Sequence, residues 1–89
     1  MLLEWDEAKN ETNLAKHGLG LAEAEYVFSD PYRVEWTDER RDYGEERRLV
    51  LGMVGEVLCA AYTVRGDRYR IISLRRASRQ ERRRYHGDS

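Results

Sequence analysis

The stretch RRLVLGMVGEVLCAAYTVRGDRYRIISLRR, residues 47–76, decides the fold. It is rich in Val, Leu, Ile and Tyr, and its pattern is that of strands rather than a helix. Turn residues cut it at Gly55 and at Gly66-Asp67. Three strands follow from those cuts: RRLVLGMV (47–54), EVLCAAYTV (56–64) and RYRIISLRR (68–76), the first two forming a hairpin around Gly55. RVEWT (33–37) upstream is a fourth candidate. The expectation is an antiparallel sheet of about four strands.

Helical signals flank this sheet. After a short opening strand at LLEW, Asp6 is placed to cap a helix over DEAKNETNLAKH. Acids stand in its first turn, Lys16 and His17 in its last, and Gly18 follows to stop it. In LAEAEYVF, Leu21, Ala24, Val27 and Phe28 recur at helical spacing, and the helix ends before Pro31. At the other end, Ser78 and Glu81 form a capping box for a short helix over SRQERRRYH. DERRDYGEE, residues 38–46, reads as a mobile polar loop. The sum is an α+β domain, residues 1–89, of two N-terminal helices, an antiparallel sheet and a short C-terminal helix, with the helices packed on one face of the sheet.

Composition narrows the function classes. The chain has 89 residues, 40% hydrophobic and 37% charged, which suits one small globular domain and not a disordered segment. The lone Cys59 cannot form an intramolecular disulfide, and one Cys with two separated His residues makes no structural zinc site. No apolar run is long enough for a membrane span, and the N-terminus has no secretory pattern. A reducing, cytoplasmic location is the expectation, with no metal and no cofactor. The net charge of −1 hides a split. Residues 1–46 hold 5 basic against 13 acidic residues, whereas residues 47–89 hold 11 Arg against 4 acids. Either the halves pair across the fold, or the basic half binds a polyanion. Every cation of that half is Arg, whose planar fork suits phosphate.

Six arginines fall between Arg75 and Arg84. On the terminal helix Arg79, Arg82, Arg83 and His86 share one stripe, either a solvated face or a polyanion contact. On the last strand, period two puts Arg68, Arg70 and Arg76 on one side and Arg75 on the other, unless a bulge or the strand end brings Arg75 and Arg76 to one cleft. Lys16 and His17 either complement the helix dipole or act as proton carriers and phosphate ligands. Tyr85 either anchors the terminal helix or presents its hydroxyl to a substrate.

Two blocks carry a resemblance to a known family. WDEAKNETNLAKHG (5–18), with Lys9, Asn13, Lys16 and His17, and RIISLRRASRQERRRY (70–85), with Ser73, Arg75, Ala77, Glu81 and Arg82, are similar to the BrnT family of bacterial toxins. Leu74 stands where the family often has Ala, and Gly20-Leu21 where Ser or Thr and an aromatic are common. The resemblance implies a RelE-like fold and a ribonuclease of a type II toxin–antitoxin pair that inhibits translation. It also implies a BrnA-like antitoxin in a 2:2 complex that binds operator DNA. For such a ribonuclease the RNA supplies the 2′-OH nucleophile, so the protein needs phosphate ligands and proton carriers but no metal. Arg75 and Arg79 are candidates to stabilise the phosphate, and His17, Lys16 and Tyr85 to move protons. Arg68, Arg70, Arg76, Arg82 and Arg83 are candidate RNA contacts. The alternative is a non-nuclease toxin of the same fold, with a target such as gyrase, or an antitoxin-docking module.

Overall fold

The computed structural model describes residues 2–40 and 42–87, so Arg41 of the 38–46 loop and the last two residues lie outside the described residues. The elements are β1 (Leu2–Glu4), α1 (Glu7–His17), a 3-10 turn (Leu21–Glu23), α2 (Ala24–Phe28), β2 (Val34–Thr37), β3 (Arg48–Val54), β4 (Glu56–Arg65), β5 (Arg68–Arg76) and α3 (Arg79–His86). They build one five-stranded sheet in the order β1-β5-β4-β3-β2. The expected antiparallel sheet of about four strands is corrected in one respect. β1 adds a fifth strand, and it runs parallel to β5, with Leu2, Leu3 and Glu4 opposite Arg68, Tyr69 and Arg70. Three residues are too few to reveal a pairing partner so distant in sequence.

The caps explain the helix ends. The Asp6 carboxylate accepts from the backbone N–H groups of Ala8 and Lys9, and Gly18 closes α1 at φ 71°. The second helix is shorter than its pattern suggests, a 3-10 turn running into a single turn of α-helix. Its start has no Ser or Thr, and two side chains substitute: Asn10 accepts from Leu21 N–H and Glu23 from Gly20 N–H. Ser78 and Glu81 make the expected capping box on α3.

The helices are not all on one face of the sheet. The first apolar cluster joins Leu21, Val27 and Phe28 to Val50, Leu58, Tyr62, Ile71 and Leu74, beneath α1 and α2. The second joins Leu49, Leu51, Val57 and Cys59 to Ala77 and Tyr85, so α3 covers the opposite face. α2 lies so close to β3 that a Cβ at Gly52 would come within 2.7 Å of the Val27 carbonyl oxygen.

One irregularity sets the faces of β5. Tyr62 pairs with Ile71 and Ala61 with Ser73, so Ile72 is an extra, bulged residue. The period-two reading of the strand therefore breaks at Ile72. Arg70, Ser73 and Arg75, opposite Thr63, Ala61 and Cys59, face the α3 side, while Leu74 and Arg76 face α1. Arg75 and Arg76 are thus separated rather than gathered into one cleft.

Past Arg70 the outer edge of β5 has no strand partner among the described residues, and α1 covers it. The buried Asn13 amide takes the partner's place. It donates to the carbonyls of Leu74 and Leu19 and accepts from Leu74 N–H. This locks the C-terminal half of α1, and with it Lys16 and His17, against the sheet.

Candidate functional site

A cleft of about 560 Å³ opens where the end of α1, the bulge of β5 and the β2–β3 loop meet. Lys16 and His17 line it from α1, Ile72, Ser73 and Arg75 from β5, and Arg40, Tyr43 and Arg47 from the loop. Three of the residues singled out in the sequence, Lys16, His17 and Arg75, are therefore brought together. The bulge is the cause, because it turns Ser73 and Arg75 to the side that the cleft occupies.

The loop wall has a buried centre. Asp38 is 7% exposed and receives four hydrogen bonds: from Arg40 Nε and Nη2 at 2.8 Å each, from Arg40 N–H at 3.1 Å and from the Tyr43 hydroxyl at 2.9 Å. The Arg40 bonds hold its carboxyl well below the usual carboxylate range, against the opposing effect of burial. Asp38 N–H also donates to the Arg47 carbonyl, which closes the loop at its base. The Arg47 guanidinium lies over the Tyr43 ring, 3.9 Å from its centroid. The stretch that reads as a mobile polar loop is tied, in its described residues, around one carboxylate. A signal was present: an Asp two residues before an Arg can accept from the backbone N–H at i+2.

His17 is half-buried at the cleft. Desolvation lowers its pKa from 6.5, and the charges of Lys16, Arg75 and Arg76 lower it further. Arg75 is engaged. Its Nη1 and Nη2 donate to the two oxygens of Glu81, at 2.7 and 3.0 Å, and Glu81 falls to a pKa of about 2 chiefly through that pair. A groove of about 410 Å³ shares Arg40 and Arg75 with the cleft and extends it toward Glu81 and Arg84 of α3. Arg84 is held over the Trp36 ring at 3.9 Å.

The other candidates lie apart from this cleft. The Tyr85 hydroxyl donates to Asp30, which also accepts from Met53 N–H. That is the Met53 end of β3, whereas the cleft opens at the Arg47 end. The anchor reading of Tyr85 fits this place, and a proton-carrying role in the cleft does not. Arg76 donates to the His17 carbonyl from the α1 side and pairs with Glu56. Arg70 pairs with Glu4 at 2.7 Å, and Arg68 approaches Asp67 at 4.0 Å. Arg82 donates to the Ala77 carbonyl. Arg79 and Arg83 are exposed on α3 and make no ion pair among the described residues. The acidic and basic halves do pair in part, through Glu4–Arg70, Glu35–Arg48 and Glu45–Arg65.

The family model described as "Ribonuclease toxin, BrnT, of type II toxin-antitoxin system" matches residues 5–81. A crystal structure of the Brucella abortus ribonuclease toxin BrnT is similar throughout, with 26% identity and a TM-score of 0.62 over 89% of this chain and 100% of that one. No curated protein sequence matches.

Proposed function

The chain belongs to the BrnT family of ribonuclease toxins of type II toxin–antitoxin systems, and from that premise we propose that it cleaves RNA without metal in the cleft between α1, β5 and the β2–β3 loop. One observation carries the reading: Lys16, His17, Arg40, Arg47 and Arg75 converge on a single cleft with one buried carboxylate, Asp38, among them. Such a site is built for a phosphodiester. In the reaction, the 2′-oxygen attacks the adjacent phosphorus, and the bond from phosphorus to the 5′-oxygen breaks. His17 is neutral at neutral pH and takes the 2′-OH proton. Lys16 presents an ammonium that gives a proton to the leaving 5′-oxygen. The cations of the cleft stabilise the charge that builds on the phosphate oxygens. The products are a 2′,3′-cyclic phosphate and a 5′-hydroxyl.

The wider reading places the chain in the cytoplasm with a RelE-like fold. There it inhibits translation until a BrnA-like antitoxin neutralises it, in a 2:2 complex that binds operator DNA through the antitoxin. The test is incubation of the purified chain with cellular RNA in EDTA, beside His17→Ala. Cleavage by the wild type alone supports the reading. Intact RNA together with altered DNA supercoiling overturns it in favour of a gyrase-type toxin.

A further inference from the structure

We propose that Arg47, with Lys16, is the RNA phosphate ligand of this cleft, and that the closed β2–β3 loop is the element that presents it. The inference rests on the ribonuclease reading above and names the groups that grip the substrate. It follows from which cations of the cleft are already engaged. Arg40 gives Nε and Nη2 to Asp38, and Arg75 gives Nη1 and Nη2 to Glu81. Each pair is bidentate, so each cancels one positive charge and occupies the fork that would hold a phosphate. Arg47 and Lys16 make no ion pair among the described residues. Arg47 Nε is buried without a hydrogen-bond partner, an uncommon state for a charged donor. Among the described residues, the unopposed charge of the cleft is therefore that of Arg47 and Lys16, one from each wall. Two cations match the doubly negative phosphorus centre formed when the deprotonated 2′-oxygen attacks.

The loop explains how Arg47 is held ready. Its guanidinium face rests on the Tyr43 ring, the Tyr43 hydroxyl is fixed on Asp38, and Asp38 N–H is bonded to the Arg47 carbonyl. Asp38 and Tyr43 are thus positioning residues, and the fork of Arg47 is preorganised before substrate arrives. Arg75 has the different task of fastening α3 through Glu81.

The experiment measures binding of a short fluorescein-labelled 2′-O-methyl oligoribonucleotide, which lacks the attacking hydroxyl, by anisotropy across a salt series. Cleavage of ordinary RNA by the wild type runs in parallel. Arg47→Ala is expected to weaken binding by about tenfold or more. It should also make the log–log salt slope shallower by about 0.7, the value for one lost contact to a single strand. Arg47→Lys, which keeps the charge, should retain most of the affinity. Wild-type affinity and slope in Arg47→Ala overturn the proposal while leaving the ribonuclease reading intact. A wild type that neither binds nor cleaves RNA overturns both. Should Arg47→Ala unfold, Lys16→Ala decides: it lies at the end of α1, outside the loop, and normal binding in that variant overturns the proposal.

Discussion

Arg75 and Glu81 face each other through two hydrogen bonds that join β5 to the first turn of α3. Glu81 also accepts from Ser78 N–H, so one carboxylate serves both the ion pair and the helix cap. The side chains are 30% and 15% exposed, which limits solvent screening. Glu81→Ala is expected to cost about 2–4 kcal/mol, as the pair and the cap are lost and Arg75 is left unpaired. Urea unfolding at neutral pH checks this. The same pair carries a pH signature. The folded carboxyl titrates at about 2 against 4.5 in its ordinary state, so its stabilisation is complete above 4.5 and is lost as pH falls toward 2. Glu81→Gln should remove that part of the acid sensitivity from the unfolding curve.

In the proposed reaction His17 is the base, a role that requires its neutral form. Its depressed pKa means that kcat/KM should hold at neutral pH and fall on an acid limb with its midpoint below 6.5. A pH–rate profile on a defined RNA measures that limb. His17→Ala should lose about 100-fold or more in kcat and keep its RNA affinity, the loss of one proton-transfer group.

Tyr85 separates anchoring from chemistry. Its hydroxyl bond to Asp30 and burial raise its pKa to about 12. Tyr85→Phe should lower stability by about 1 kcal/mol, the worth of a hydrogen bond to a charged group at a half-exposed site, with cleavage unchanged. A tenfold loss of cleavage in a folded Tyr85→Phe protein would place the hydroxyl in the reaction after all.

Asn13 is the tightest single tie between α1 and the sheet. Asn13→Ala leaves the amide N–H and carbonyl of Leu74 and the carbonyl of Leu19 without their partner. The expected cost is about 3 kcal/mol or more in urea unfolding, against about 0.5 kcal/mol or less for the exposed neighbour Thr12→Ala.

Local chemistry was legible in the residues, and long-range register was not. Asp6, Gly18, Ser78 and Glu81 announce their caps because a cap is decided within four residues. The limits of β5 at Arg68 and Arg76 follow from the turn before it and the cap after it. Nothing local marks Ile72 as bulged, yet that one residue moves Ser73 and Arg75 to the cleft side, with Arg70, and sends Arg76 to the α1 side. The pairing of β1 with β5 and the crossing of α3 to the second face are likewise tertiary. The candidate site divides in the same way. Lys16 and His17 stood out at the end of a helix. Arg40 and Arg47 did not, because their roles depend on a loop closing over Asp38. The density of Arg on α3 drew attention to Arg79, Arg82 and Arg83, which lie outside the cleft.

The most direct test of the account is the chemistry of the cut ends. Under the proposed mechanism, in which the 2′-oxygen is the nucleophile and no metal-bound water is needed, RNA cleaved by the purified chain in EDTA should carry 2′,3′-cyclic phosphates on one side and 5′-hydroxyls on the other. Fragments with 3′-hydroxyl and 5′-phosphate ends, formed only when a divalent cation is added, would contradict it.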